Sequence, residues 1–263
     1  MKWPAKIVLI GAGKVAHALG ERLLQADQQV AAVWSRSLAS AQGLAQRLGT
    51  LGTNSFASLP ADADLYLLLV PDQAIGGVAK QASKFLPQTA LVTHCSGATP
   101  SGILALHFQH YGIFYPLQSF SPGRKIDFSR VPLCLFTAQA EDYPLLESLA
   151  KKVSNQVYAV SDEQRLQLHL AAVFVNNFTN YIQHISGALM SDHELPRQML
   201  QPLLEETIAK LQTLSPAEAQ TGPALRHDSN TIQRHLKLLE PHPHWQQLYQ
   251  LLSNGIQRDI AED

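Results

Sequence analysis

The sequence has little of what marks several common classes of protein. Only two of its 263 residues are cysteines, Cys95 and Cys134, and they lack the spacing of a metal site or a disulfide framework. The eleven histidines are scattered along the chain rather than clustered as metal ligands. We therefore expect reduced thiols and no bound metal.

Charge and long apolar runs are also scarce. Charged residues make up 16% of the chain, the net charge is −1 with neutral histidines, and no run of five basic residues occurs. The longest apolar stretches have the length of a strand, and the first motif starts so early that we expect no signal peptide. These features predict a cytoplasmic protein that binds neither nucleic acid nor a membrane.

Apolar, strand-like segments alternate with amphipathic helical patterns in the first 160 residues. Strands are predicted at 6–10, 29–35, 65–70, 89–96, 111–116, 131–138 and 156–160. Because these segments are apolar on both faces, they fit a mostly parallel sheet covered by helices. After a capping box at Ser161 the pattern is helical only, first to about Met190 and then at 194–214, 229–240 and 243–260. We therefore predict an α/β domain over 1–160 and an all-helical domain over 161–263.

A glycine-rich turn follows the first strand and opens the first helix. Its pattern, G-x-G-x-x-A, consists of Gly11, Gly13 and Ala16. In a Rossmann domain these small residues allow a tight turn, close approach of a pyrophosphate and close helix–strand packing, while the helix N-terminus attracts the phosphates. The turn therefore predicts a dinucleotide site with contacts from Gly11, Ala12, Gly13, Lys14 and Val15.

The end of the second strand indicates which dinucleotide binds. An acidic residue about 20 positions after the glycine motif would bind the ribose 2′-hydroxyl of NAD, but the chain has Ser35, Arg36 and Ser37 there. Arg36 can pair with a 2′-phosphate and stack on adenine, and both serines can donate hydrogen bonds to the phosphate. We therefore predict NADP(H), with a plain solvated charge at Arg36 as the alternative.

The strand predicted at 65–70 ends at Val70 and is followed by Pro71 and Asp72. The carboxyl ends of such strands line the crevice in which ligands bind. Val70 and Pro71 are therefore expected to pass close to the cofactor, whereas Asp72 is expected to cap the next helix.

Polar residues also lie at or just after the ends of the next two predicted strands. His94 and Ser96, which strand alternation places on one side, stand beside Gly97, and Gln118 follows the strand at 111–116. A serine hydroxyl here can hydrogen-bond a substrate carbonyl or carboxylate. We predict Ser96 as catalytic and His94 and Gln118 as substrate-binding, with a buried core histidine and an ordinary turn as the alternatives.

The long helix predicted after Ser161 carries polar residues in an apolar stretch. His169 and Asn176 are seven residues apart and would share one face of an α-helix. His169 is the best-placed candidate to give a proton to a substrate carbonyl, and buried asparagines would need polar partners. We predict His169 and Asn176 as catalytic and Asn177 as substrate-binding, with a surface histidine beside loop-capping asparagines as the alternative.

A polar loop interrupts the helical half at 219–235. Arg226 can bind a carboxylate through two hydrogen bonds, and Asp228 can cap the helix that follows. We predict that Thr221, Arg226 and Asp228 bind substrate, with a structural Arg226–Asp228 pair as the alternative.

Taken together, these segments resemble a known family. The motifs GAGKVA, VWSRS, VPD, H-x-SGA, YPLQSF, HLAAVFVNNF and TGP-x-x-R-x-D span nearly the whole chain. They are similar to those of proteins that join a Rossmann-like domain to a DUF2520 domain, a branch of the 6-phosphogluconate dehydrogenase-like superfamily. Kin include pyrroline-5-carboxylate reductase, ketopantoate reductase and F420-dependent NADP oxidoreductase. The resemblance implies a homodimer formed through the C-terminal helices.

One departure from the kin affects the mechanism. Hydroxyacid dehydrogenases and ketopantoate reductase carry Lys-x-x-x-Asn on the interdomain helix, and if Asn176 matches that asparagine, Ala172 occupies the lysine position. His169 would then take the acid role. We expect an NADP(H)-dependent oxidoreductase that transfers a hydride to or from a small carboxylate-bearing oxo acid or imine, with ketopantoate as one case. The alternative is a non-catalytic NADP(H)-binding sensor or scaffold. Reduction of F420 would need a basic cleft that the sequence does not indicate.

Overall fold

The computed structural model describes residues 5–259, and its first half is built on one sheet of apolar strands. The strands are β1 (Lys6–Ile10), β2 (Gln29–Trp34), β3 (Leu51–Thr53), β4 (Leu65–Leu68), β5 (Val92–His94), β6 (Tyr111–Pro116), β7 (Leu133–Thr137) and β8 (Val157–Ala159). Their spatial order is β3-β2-β1-β4-β5-β6-β7-β8. All neighbouring pairs are parallel except β6 and β7. The predicted mostly parallel sheet is confirmed.

The chain changes direction across the sheet at β1. It first places β2 and β3 on one side of β1 and then returns to place β4 on the other side. Ile10 pairs with Leu68 and Leu68 with His94, so β1, β4 and β5 end in register, whereas β6 continues past Ile113, the partner of His94, to Pro116. We call this the carboxyl edge of β1, β4, β5 and β6. Ligands of open α/β sheets bind beside such an edge, where the strand order reverses.

Side chains of the sheet alternate between two hydrophobic cores, one on each face. The helices are α1 (Lys14–Gln25), α2 (Leu38–Leu48), α3 (Ile75–Ala82), α4 (Tyr143–Val153) and α5 (Asp162–Ala172). On β1, Ile7 and Leu9 pack with residues of α1, α2 and α4, whereas Val8 and Ile10 pack with residues of α3. All four side chains are fully buried, and each such burial stabilises the fold by about 1.5–3 kcal/mol.

Local capping interactions set several helix ends, among them the capping box that the sequence predicts at Ser161. The Ser37 hydroxyl accepts a hydrogen bond from the Ser40 amide at 3.2 Å and so begins α2, which ends at Gly49 with φ +64°. A capping box begins α5, because the Ser161 hydroxyl accepts from the Gln164 amide and the Gln164 side chain accepts from the Ser161 amide. These interactions occupy amides that the first helical turn leaves without partners.

Other elements differ from the sequence prediction. Strand β3 has only three residues, too few to show a hydrophobic period, and was not predicted. Strand β5 covers Val92–His94 rather than 89–96. In place of one helix over 194–214, a short 3₁₀ turn at Arg197–Leu200 precedes α7 (Gln201–Lys210).

The helix that begins at Asp162 changes its winding well before Met190. After α5 ends at Ala172, Val173–Phe178 form a π-helical turn, and α6 (Thr179–Ser191) follows. A π turn forms i to i+5 hydrogen bonds and holds more residues per turn than an α-helix. The predicted helical run to about Met190 is confirmed, but because the π turn lies between His169 and Asn176, their seven-residue spacing does not give the alignment expected of an α-helix.

The chain forms two compact units, residues 1–177 and 178–263. The last strand ends at Ala159, near the predicted boundary at 160, but α5 belongs to the unit that contains the sheet. In the second unit the described residues form helices and no strand; they are α6, α7, α8 (Pro216–Ala219), α9 (Ser229–Leu238) and α10 (Pro243–Asp259). Between residues 5 and 259, no helix is both long and apolar enough to cross a membrane.

Candidate functional site

The glycine turn at the carboxyl edge has the geometry that its motif predicts. Gly11 has φ +137°, and a Cβ there would lie 2.2 Å from the carbonyl oxygen of Leu69, so only glycine fits. At Gly13 a Cβ would meet nothing within 4 Å, because the residue is exposed at the start of α1. Ala16 is fully buried against the sheet. The turn is therefore held tightly on its sheet side and open on its outer side.

The N-terminus of α1 fits the pyrophosphate of a dinucleotide. No side chain caps the helix, and its first turn contains no acidic residue. Ala12, Gly13, Lys14 and Val15 are all at least partly exposed. Backbone amides at an uncapped helix N-terminus carry partial positive charge and favour an anion. These residues are the ones that can hold a dinucleotide at this turn.

The segment after β2 combines a fixed backbone with a free cation. The Ser35 amide donates to the carbonyl of Thr53 at 3.1 Å, and the Ser37 amide donates to the Ser35 hydroxyl at 3.4 Å. Arg36 is exposed and forms no ion pair with any residue in the described range 5–259. The guanidinium is thus available to an anionic ligand at the carboxyl end of β2.

The segment after β4 begins as predicted but differs at Asp72. Val70 is half-buried and Pro71 is exposed. Asp72 starts a 3₁₀ turn at Asp72–Ala74, and α3 begins after Ala74 with no side-chain cap. The prediction that Asp72 caps this helix is wrong, because the intervening turn separates its carboxylate from the first amides of α3.

His94 lies inside the protein and supports the loop that follows β5. Its side chain is fully buried, its Nδ1 accepts from the Ser96 amide at 3.2 Å, and its Nε2 lies 3.4 Å from the carbonyl oxygen of Pro100. Burial, followed by the nearby Arg165 cation, lowers the pKa of His94 to about 4. The ring is therefore neutral, with its proton on Nε2, and the geometry favours the core histidine over the predicted substrate contact.

The Ser96 hydroxyl is also used within this loop. Its Oγ accepts from the amides of Ala98 at 3.2 Å and Thr99 at 2.9 Å, and donates to the hydroxyl of Thr99 at 2.9 Å. Only 5% of Ser96 is exposed. Because these bonds occupy its donor and acceptor capacity, the geometry supports a loop-forming role for Ser96, and its predicted catalytic role has no support here.

His169 reaches the carboxyl edge from α5. A Cβ at position 97 would lie 2.5 Å from His169 Nδ1 and 2.9 Å from Tyr115 Cζ, so the absence of a side chain at Gly97 makes room for both rings. The Tyr115 hydroxyl lies 3.3 Å from His169 Nδ1. His169 is half-buried, and no other hydrogen bond to its ring occurs within residues 5–177. The imidazole is therefore held on its Nδ1 side and open at Nε2.

A buried ion pair fixes α5 to the loop after β5. Arg165 is 1% exposed, and its guanidinium donates to Asp162 Oδ1 at 2.6 Å and to the carbonyl of Thr99. Asp162 Oδ2 accepts from both the amide and the hydroxyl of Ser101 at 2.9 Å. Burial raises the pKa of Asp162, but the hydrogen bonds from Arg165 and Ser101 outweigh it and hold this pKa below its usual value. Arg165 lies one helical turn before His169, so the ion pair fixes the position of the His169 side chain.

Three residues of this arrangement were not predicted from the sequence. Asp162 and Arg165 follow the capping box of α5, where charged side chains are ordinary on a solvated helix face. Tyr115 belongs to the motif YPLQSF, but tyrosine is common in β-strands, so its residue type did not indicate a functional role. The burial of Arg165 and its contact with the distant Thr99 carbonyl leave no local signal in the sequence.

The remaining predicted residues of the first unit are at the surface. Asn176 and Asn177 are exposed within the π-helical turn, so they do not need the buried partners considered for them. Gln118 is exposed, and its Oε1 accepts from the amide of Ser119 at 2.7 Å. Such π turns occur often at functional sites, so substrate contacts of the asparagines stay a prediction.

In the second unit, one residue of the predicted substrate loop has a structural role, and two others are exposed. Asp228 caps α9 by accepting from the Thr231 amide at 3.0 Å, which confirms the predicted cap. Hydrogen bonds from Thr231 hold the pKa of Asp228 below its usual value. Arg226 and Thr221 are exposed, and within the described chain Arg226 forms no ion pair with Asp228. Arg226 is thus available for a ligand carboxylate.

Among the residues that the structure describes, no three His, Cys, Asp or Glu side chains are grouped closely enough to hold a metal ion. The groups at the carboxyl edge are instead an anion-binding helix N-terminus, one available arginine and one imidazole beside a phenol. This set can bind a dinucleotide and move a proton.

Family models match both parts of the chain. A Rossmann-like domain matches residues 3–114, and a domain of unknown function, DUF2520, matches residues 132–256. Between the two matches, residues 115–131 are left unmatched. No curated protein matches the chain.

Solved structures resemble the chain over nearly its full length. A "putative NADP oxidoreductase" from Bacteroides fragilis is 38% identical, with a TM-score of 0.90 over 96% of this chain and 98% of that one. A Thermotoga maritima protein is 22% identical, with a TM-score of 0.73 over 97% and 98%. Pyrroline-5-carboxylate reductase from Coxiella burnetii is 20% identical, with a TM-score of 0.58 over 98% of each chain. The last two likenesses concern the fold.

The contact at Gly97 makes a testable prediction. We expect Gly97→Ala to lower the free energy of unfolding by about 1–3 kcal/mol, because the new methyl group would overlap the rings of His169 and Tyr115. The matched control is Gly102→Ala, since a Cβ there would meet nothing within 4 Å. Urea unfolding of both variants measures the effect, and equal free energies for the two would contradict the contact.

Proposed function

We propose that this chain, which belongs to the family that joins a Rossmann-like domain to a DUF2520 domain, is an NADP(H)-dependent oxidoreductase acting on a small carboxylate-bearing oxo acid or imine. The observation that carries the proposal is the meeting of the glycine turn and His169 at one edge of one sheet. The 38% identity to the Bacteroides fragilis protein supports an NADP oxidoreductase.

Arg36 supports NADP(H) rather than NAD(H). The residue is exposed after β2, has no ion-pair partner among residues 5–259, and lies between two serines. An aspartate or glutamate would repel a 2′-phosphate, whereas a guanidinium binds one through paired hydrogen bonds. Ser37 caps α2 as an acceptor and still has its hydroxyl proton to donate.

His169 is the group that we assign to proton transfer. When bound, the nicotinamide supplies the hydride. The substrate double bond then gains negative charge on its oxygen or nitrogen, and a nearby imidazole can deliver a proton there. His169 suits this role because its Nε2 is open while its Nδ1 faces Tyr115. His94 and Ser96 support the loop against which the His169 ring packs.

Candidate groups for binding the substrate carboxylate are assigned within each unit separately. Arg226 is an exposed arginine without an ion-pair partner among the described residues, and it can bind a carboxylate with two hydrogen bonds. Asn176 is exposed in a π turn and can orient a carbonyl or carboxylate. We assign secondary contacts with substrate to Gln118, Asn177, Thr221 and Asp228. Ketopantoate is one substrate of this class.

The alternative function is a non-catalytic NADP(H)-binding sensor or scaffold. Ala172 favours it, because relatives that reduce oxo acids carry a lysine at this position and alanine cannot donate a proton. His169 favours catalysis, since it supplies a titratable group one turn earlier on the same helix. The two functions differ in whether NADPH is consumed.

We also propose a homodimer formed through the C-terminal helices. Large apolar side chains are exposed on these helices: Met199 and Leu203 are 62% and 66% exposed in the second unit. Leu170 and Val175, which precede α6, are 52% and 76% exposed. Exposed apolar patches of this kind mark protein interfaces, and a second copy of the chain is the partner that the family suggests.

The cofactor assignment predicts a change in selectivity. Arg36→Ala should weaken NADPH binding by about tenfold to a hundredfold, the value of a charge-assisted hydrogen bond, and leave NADH binding unchanged. Arg36→Glu should make NADH the preferred ligand. Calorimetric Kd values measure this, with Arg47→Ala, in the helix α2 that follows Arg36, as the control. Equal NADPH affinity in wild type and Arg36→Ala would refute the assignment.

The catalytic assignment predicts turnover that depends on His169. We expect NADPH oxidation with at least one member of a panel of 2-oxo acids, 3-oxo acids, cyclic imines and ketopantoate. His169→Gln should lower kcat by about 10²- to 10⁴-fold, the usual contribution of a general acid, and leave the Kd for NADPH unchanged. His107→Gln is the control. Binding of NADPH without oxidation across the panel would favour the sensor, and undiminished turnover in His169→Gln would remove this residue from the mechanism.

The proposed dimer predicts that one charge introduced into its interface changes the oligomeric state. Leu203→Glu should convert the dimer to a monomer, because a carboxylate in an apolar interface loses its hydration. Leu106→Glu is the matched control, since Leu106 is 79% exposed in the first unit, outside the C-terminal helices. Light scattering after size exclusion measures the mass. A monomeric wild type, or a Leu203→Glu variant that stays dimeric, would contradict the proposal.

A further inference from the structure

Tyr115 is the one side chain that hydrogen-bonds to the His169 ring within residues 5–177. Its hydroxyl lies 3.3 Å from Nδ1, and the two rings are 6.4 Å apart between centroids at an angle of 68°. The backbone at Gly97 packs against the same side of the imidazole, since a Cβ there would lie 2.5 Å from Nδ1. The contacts therefore fix one ring nitrogen and leave the other for a ligand.

The Tyr115 hydroxyl stays protonated at neutral pH. Burial raises its pKa to about 12, with a further rise from Cys134 and Asp72, against which Arg165 acts. A phenol that keeps its proton can donate to an unprotonated Nδ1, and after rotation of its O–H bond it can accept from a protonated Nδ1. A carboxylate in this place could only accept, so a hydroxyl suits a histidine that changes its protonation state.

We propose that Tyr115 is a positioning residue that binds Nδ1 of His169 in both protonation states and so makes Nε2 the nitrogen that exchanges a proton with substrate. The inference rests on the proposed function for its chemical consequence. In reduction, the imidazolium loses its Nε2 proton to the substrate oxygen or nitrogen. The neutral ring then keeps Nδ1–H, which donates to the Tyr115 oxygen, and solvent restores the lost proton.

The charges around this pair agree with a role in proton transfer. Arg165 is a buried cation four residues before His169 on α5, and its guanidinium is paired with Asp162 Oδ1 at 2.6 Å. Asp72 and Cys134 are the other titratable groups that act on Tyr115. None of them forms a hydrogen bond with His169 within residues 5–177. Tyr115 is therefore the group through which this side of the ring is controlled.

Nuclear magnetic resonance tests the contact without any need for a substrate. In protein labelled with ¹⁵N-histidine, the signals of His169 are identified by their loss in His169→Gln. Tyr115→Phe keeps the ring but removes the hydroxyl, and we expect the Nδ1 resonance of His169 to shift. The control is Tyr111→Phe, which makes the same change at the start of β6. An Nδ1 resonance that is unchanged in Tyr115→Phe would overturn the proposal.

Kinetics test the consequence with a substrate found in the panel. We expect Tyr115→Phe to lower kcat by about tenfold, the size of one lost hydrogen bond. KM and the Kd for NADPH should stay unchanged, and the pH at which kcat is half-maximal should move, which loss of packing alone would not cause. A shifted resonance without any turnover by the wild type would refute the proposed function and leave the contact standing. A fall in kcat equal to that of Tyr111→Phe would refute the role of Tyr115.

Discussion

The buried Arg165 guanidinium is the constraint on which the candidate site depends. A charge that is 1% exposed must be paired, because its desolvation costs several kcal/mol. Asp162 and the Thr99 carbonyl supply the pairing, and Asp162 in turn binds Ser101. These bonds join the first turn of α5 to the loop after β5. His169, one turn further along, is thereby placed against Gly97, so a structural ion pair decides where the imidazole of the candidate site lies.

The carboxyl edge of the sheet also depends on two positions where a side chain would not fit. Gly11 fits only without a side chain, because a Cβ would overlap the carbonyl of Leu69, and Gly97 leaves room for the rings of His169 and Tyr115. The two glycines serve different ends, since one shapes a turn that can receive a pyrophosphate and the other admits a helix side chain. Both follow strands that end in register, which brings a dinucleotide turn and a proton-transfer group to one side of the sheet.

The sequence predicted local features well and long-range contacts poorly. The capping box at Ser161, the cap at Asp228 and the glycine motif depend on residues a few positions apart, and the structure agrees with each. The contact of Gly97, Tyr115 and His169 joins three distant segments and leaves no periodic signal. His94 and Ser96 were predicted as ligand contacts from their place after a strand, but a short loop satisfies its own polar groups first. The π turn was missed because its residues continue an apolar helical pattern.

The central claim is that the dinucleotide and His169 occupy the same edge of the sheet. The most direct measurement is the ¹⁵N-histidine spectrum of the protein during titration with NADPH. His110, which precedes β6 and pairs with Asp142 at 2.9 Å, lies at the opposite end of that strand and serves as an internal reference. We predict that the ring resonances of His169 shift in proportion to bound NADPH while those of His110 stay fixed. Saturation with NADPH that leaves the His169 resonances unchanged would contradict the account.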